Sequence, residues 1–162
     1  MHDNKDIYYT ALLPVSKRAV VKSKCGLLVL AQMTQLLISP PFAVLRLCLL
    51  PEGNPAGIEA NVAYYGFGFV MYALFNLIFL PVFFKTAWKA GKAFLLAMIP
   101  AALVVLFMEV IVYIPGYTWL DSVSPDMMLR QWPLLLFGIA FYAGAKYIAY
   151  RLAAARFERV DW

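Results

Sequence analysis

The chain has 162 residues, of which 64% are hydrophobic and 14% charged, with a formal net charge of +5. A water-soluble domain is nearer half apolar and a quarter charged, so these figures exclude one and indicate an integral membrane protein whose length needs a single domain. The basic residues are interleaved with apolar runs instead of gathered in a patch, so no nucleic-acid partner is expected.

Residues 1–24 form a polar to basic lead, with Lys17, Arg18, Lys22 and Lys24 packed into eight residues just ahead of the first apolar run. No cleavable signal peptide is visible, because the lead is polar and the apolar run behind it is too long for one. Pro14 suits the mouth of a helix and Ser16 can cap it. A short, weakly amphipathic cytoplasmic helix is therefore expected before the first span. It would carry Lys17, Val20, Val21 and Lys24 on one side, with Arg18, Lys22 and Cys25 turned away. Ile7, Tyr8 and Tyr9 suit the membrane interface.

The first span is predicted over about 25–50. Its inner half carries Gln32, Thr34 and Gln35, and a kink or break is expected at Pro40-Pro41. Arg46, near the outer end, is expected to snorkel to the headgroups. Cys25 and Cys48 stand at opposite ends of this span, on the order of 35 Å apart, beyond disulfide reach; both read as small buried apolar residues. A turn-rich loop, 51–61, follows.

The second span is predicted over about 62–84, with Gly66 and Gly68 as close-packing positions and Asn76 inside it. A basic loop follows, with Lys85, Trp88, Lys89 and Lys92. The third span, about 93–115, contains Pro100 and, in its outer half, Glu109. In the loop 116–131, Leu120 to Met128 is a candidate surface helix capped by Asp121 or Ser124. The fourth span is predicted over about 132–150, where Gly138 with Tyr142, or Ala140 with Gly144, offer packing faces. A charged tail closes the chain.

Each run is long enough to cross about 30 Å of hydrocarbon. Of the 14 Lys and Arg residues, all but Arg46 and Arg130 fall in the lead, the 85–92 loop or the stretch from Lys146 onward. That asymmetry predicts both termini in the cytoplasm. The fold expected is all-α, with four transmembrane helices: a lead over 1–24 and a membrane domain over 25–162.

Little in the chain suits catalysis. The Gly91-Lys92 pair has Thr86 where a phosphate loop needs its leading glycine. His2 is the one histidine, so neither a multi-histidine metal site nor a histidine-based nucleophile set can be assembled. No catalytic, cofactor or metal residues are expected, and ATP hydrolysis would belong to another subunit. The membrane-embedded polar set is Gln32, Gln35, Asn76 and Glu109, with Thr34 beside it. An acid in a span faces protein or water, so Glu109 reads either as a path residue or as a hydrogen-bonded packing residue.

Three stretches carry a resemblance. Leu13-Pro14-Val15-Ser16-Lys17-Arg18 followed by Val20-Val21-Lys22-Ser23-Lys24 resembles the cytoplasmic segment of ABC transporter permeases of the type-two exporter family, in its small bacterial six-span branch. Leu80-Pro81-Val82-Phe83-Phe84-Lys85 running on to Gly91-Lys92 is similar to a loop of that family, departing from it at Thr86-Ala87 and Lys89. Tyr147-Ile148-Ala149-Tyr150-Arg151 is similar to the family's ending. The resemblance implies a permease subunit of a bacterial ABC exporter in the inner membrane. It also implies a separate ATP-binding subunit docked on Pro14, Val15, Ser16, Lys17, Arg18, Val20, Val21, Lys22 and Lys24, and a second permease chain. Family permeases have two spans ahead of the Leu-Pro-Val-Ser segment, so a truncated or split permease is implied. The rival reading is a non-transporting membrane protein, such as an immunity factor or an assembly scaffold. Residues 13–24 would then be only the positive charge that orients the chain.

Overall fold

The computed structural model describes residues 15–49, 57–86 and 89–159. Pro14, Trp88 and the acidic end of the first loop at Glu52 lie outside them. Four helices follow in order: α1 (Lys17–Leu49), α2 (Val62–Thr86), α3 (Ala90–Ile111) and α4 (Pro125–Glu158), with a 3-10 turn at Thr118–Leu120 ahead of α4. All four are long and apolar enough to cross a membrane. The described residues contain no strand.

The bundle is organised on α2 and α4, which make the most extensive contact; α3 packs on α2, and α1 leans mainly on α4. Glycine allows the central crossing. A Cβ on Gly138 would stand 2.4 Å from the Gly66 carbonyl oxygen, and one on Gly66 would stand 3.0 Å from the Leu134 carbonyl oxygen. From there the buried face of α4 runs through Tyr142, Ala145, Ala149 and Ala153 to Phe157. These steps of three and four keep one stripe turned inward, and the small side chains let the backbones approach. The expected Gly138–Tyr142 face is therefore the packing face, whereas Ala140 and Gly144 are exposed.

Two apolar clusters close the ends of the bundle. At the end that carries residues 17 and 158, Val20, Val21 and Cys25 meet Leu80 and Phe84 of α2 and Ala149, Ala153 and Phe157 of α4; the Phe84 and Phe157 rings lie 5.2 Å apart. At the other end, Ile58, Ala63, Phe67, Met108, Val112 and Leu120 pack together.

Several expectations change. Residues 17–24 form no helix of their own: α1 starts at Lys17, where the Ser16 Oγ accepts from the Ala19 N–H at 3.2 Å, and runs unbroken into the span. Cys25 lies on the buried side with Val20 and Val21 instead of turning away, because the contact line of α1 follows Val21, Cys25 and Gln32. The helix also continues through Pro40 and Pro41. Both prolines are exposed, so their rings displace no neighbouring helix. Cys48 is exposed, not buried. The surface helix expected at 120–128 is replaced by the 3-10 turn and an early start of α4, with Ser124 at the N-cap position and Pro125 in its first turn.

Candidate functional site

A polar seam crosses the middle of the bundle. Gln32 of α1 donates from Nε2 to Asn76 Oδ1 of α2 at 3.2 Å, and Asn76 Nδ2 donates back to Gln32 Oε1 at 3.0 Å. The Tyr142 hydroxyl of α4 donates to the same Gln32 oxygen at 2.8 Å. Asn76 is fully buried and Gln32 nearly so. Reciprocal amides leave neither partner with an unmet donor–acceptor pair, which matters where no water can substitute. Of the expected polar set, Gln32 and Asn76 come together, while Gln35 and Thr34 are exposed on the outer side of α1. Gln35 sits about 60° around the helix from Gln32 at 100° per residue, which takes it off the contact line. Tyr142 is the third member, and its polarity is confined to one atom of an otherwise apolar ring.

Beside the seam, between α2 and α3, opens an apolar cleft of about 760 Å³. Tyr72, Phe75, Phe94, Met98 and Val105 form its walls, with Gln32 and Glu109 as its polar members. Glu109 faces protein, as the cost of an acid in lipid requires. Its Oε2 accepts the Ile58 N–H at 3.0 Å, beneath Gly57, whose φ of +146° suits glycine. A Cβ at Gly57 would collide with that carboxylate at 1.5 Å.

Glu109 belongs to a wider clasp at the loop end. The Asn61 Oδ1 accepts the Tyr64 N–H at 3.1 Å, capping α2, while its Nδ2 donates to the Leu120 carbonyl at 2.7 Å. The Gln131 Oε1 accepts the Ala63 N–H at 3.1 Å, and its Nε2 donates to the carbonyls of Trp119 at 2.9 Å and Ser122 at 3.0 Å. The Glu59 N–H donates to Asp121 Oδ1 at 2.6 Å. Arg46 has a protein partner at this end: it pairs with the largely buried Glu59 carboxylate. The sequence marked 51–61 as a turn-rich loop and 116–131 as a loop with a candidate surface helix, so Asn61 and Gln131, polar residues at span edges, gave no signal that they lock two loops together.

The terminal end is different. Lys22, Lys85, Lys89 and Lys92 are exposed there. Arg18 forms a 2.5 Å ion pair with Glu158 of α4, and the Lys17 Nζ donates to the Glu158 carbonyl at 3.4 Å. Val20 and Val21 are core residues, 5% and 0% exposed. They seat the basic turn on α2 and α4 and are withdrawn from any docking surface, which corrects the expectation that they touch a partner directly. Val15, 51% exposed, is the apolar side chain presented at this end of α1.

No curated protein and no solved structure matches the chain. Residues 2–151, nearly its whole length, match the family described as ABC-2 family transporter protein. With four membrane-length helices and a polar seam and apolar cleft within the bundle, the chain belongs to the ABC-2 transporter membrane family.

Proposed function

We propose that the chain is the permease subunit, or part of one, of a bacterial ABC exporter in the inner membrane. A separate ATP-binding subunit and a second permease chain would complete it. Both termini and the 85–92 turn face the cytoplasm in this reading, and ATP hydrolysis resides on the other subunit. The observation that carries the proposal is the continuity of α1. One unbroken helix joins the basic, exposed turn at 17–24 to Gln32 in the polar seam, so a push at the basic end reaches the seam and the neighbouring cleft without an intervening loop.

Docking is read onto the exposed groups: Val15 and Ser16 just ahead of α1, Arg18 and Lys22 in it, and Lys85, Lys89 and Lys92 about the 85–92 turn. Binding energy concentrates in a few well-packed contacts, so Val15→Asp is the informative change. It alters shape and charge at an exposed site without entering the core, unlike any change at Val20 or Val21. Affinity purification from membranes tests it. An ATPase that co-purifies with the unmutated chain, and is lost with Val15→Asp at normal membrane yield, supports the coupling role. Absence of any ATPase from the unmutated chain's complex overturns it in favour of a non-transporting membrane protein.

A further inference from the structure

Lys146 stands apart from the seam, the clasp and the docking turn. It lies on α4 between Tyr142 and Tyr150, and its Nζ is shut off from solvent with no hydrogen-bond partner. An ammonium taken out of water without a counter-charge is strongly disfavoured, so this position calls for an anion that the fold itself does not supply. The side chain lines a groove of about 580 Å³ between α1 and α4. Lys22 lines the same groove one turn nearer the terminal end, and no carboxylate lines it among the described residues.

Glycine at position 26 keeps the groove open. A Cβ there would meet nothing within 4 Å, so no helix packing demands the glycine, and its missing side chain leaves space beside Lys22. The rest of the lining is largely apolar, with Cys25, Gly26 and Val29 on α1 facing Ala143 and Tyr147 on α4, and Tyr147 is 62% exposed. Two lysines therefore converge on a groove whose outer walls suit hydrocarbon chains. Lys146 lies twelve residues before Glu158, about 18 Å along the helix at 1.5 Å per residue, a depth at which a lysine stem reaches toward headgroups.

We propose that this groove binds the headgroup of an anionic phospholipid from the leaflet on the side of the chain termini, with the flexible Lys146 stem turning into the groove to meet the phosphate beside Lys22 and the acyl chains lying along Val29 and Tyr147. Basic pockets between membrane helices recognise lipid headgroups in this way. A free phosphate satisfies the same charges, but the apolar flanks have no use for it, and that favours the lipid. The site is independent of any ATPase and would operate in a transporter or in a scaffold.

The test is native mass spectrometry and thermal unfolding of the whole chain in a neutral detergent. The additions are phosphatidylglycerol, phosphatidylcholine of the same acyl chains, or inorganic phosphate. Phosphatidylglycerol is expected to bind at least tenfold more tightly than phosphatidylcholine and to raise Tm, and inorganic phosphate is expected to do neither. Lys146→Met removes an unpaired charge, so its Tm in lipid-free detergent is expected to equal or exceed that of the unmutated chain, while the tenfold preference disappears. Lys146→Arg is expected to keep the preference. Gly26→Leu, which fills the groove without changing charge, is expected to lose it, and this variant carries the test if Lys146→Met fails to fold. Equal binding of the two lipids, a full preference in Lys146→Met or Gly26→Leu, or an equal rise in Tm with inorganic phosphate alone would overturn the proposal.

Discussion

The two ends of the α2–α4 pair are held by different physics. At the loop end, Asn61, Gln131, Asp121, Glu109 and the Arg46–Glu59 pair bind backbone and side chains in fixed directions. At the terminal end, Val20, Val21, Phe84, Ala149 and Phe157 pack as the loop-end cluster does, but the Arg18–Glu158 pair outside them is exposed and ties no buried group. Directional bonds allow one arrangement and lose heavily on displacement. Apolar packing has no such orientation and accepts small sliding between helices. The difference gives the bundle a fixed end and an adaptable end, and the adaptable one carries the face proposed to receive a partner.

Breaking each end separately sharpens the contrast. The largest effect is expected from Phe84→Ala at the apolar end. Removing a fully buried ring that lies 5.2 Å from the Phe157 ring costs about 3–5 kcal/mol, read as a lower Tm in detergent. Gln131→Leu at the clasp has nearly the same volume but frees the Ala63 N–H and the Trp119 carbonyl, while the Ser122 carbonyl keeps Asn61 Nδ2 at 3.2 Å. It is expected to cost about 2–3 kcal/mol, since each buried group left unpaired is worth about 1–3. Hydrogen exchange separates the two ends: Gln131→Leu is expected to speed exchange at Ala63 and Tyr64 and leave residues around Phe84 protected, and a uniform loss of protection would erase the distinction between them.

A smaller effect is expected at Asn61. Asn61→Ala removes the cap of α2 and should cost about 1 kcal/mol, checked by the same unfolding measurement. The smallest is expected from the conservative change at Glu109. Glu109→Gln keeps an oxygen for the Ile58 N–H, so stability should change by less than about 0.5 kcal/mol, while Glu109→Leu removes the acceptor and should cost about 1–3 kcal/mol. Transport measured with Glu109→Gln then isolates the carboxylate's charge: unchanged transport assigns the residue wholly to the clasp, and lost transport assigns its charge to the path.

The spans were legible because about twenty apolar residues between charged stretches have few alternatives to a membrane helix. The pairing of Gln32 with Asn76 was half legible: a buried amide needs a partner, but only the rotational setting of α1 decides that Gln32 turns inward and Gln35 does not. The clasp was not legible. Asn61 and Gln131 are separated by nearly the whole of α2 and α3, and in a sequence each is just a polar residue beside a turn. The partner of Arg46 was hidden for a related reason, because Glu59 sits across a loop and the closure of that loop depends on tertiary contacts.

The placement of α1 has a consequence for biogenesis. Only 6% of its most apolar stretch is buried, and its main neighbour is α4, at the far end of the chain. At roughly 5–20 residues per second, on the order of ten seconds of synthesis separate the emergence of the two helices. Helix α1 is thus made well before the helix that seats it. In the interval it rests in lipid on its own hydropathy, with Gln32 unmatched until Asn76 arrives and the arrangement incomplete until Tyr142 follows.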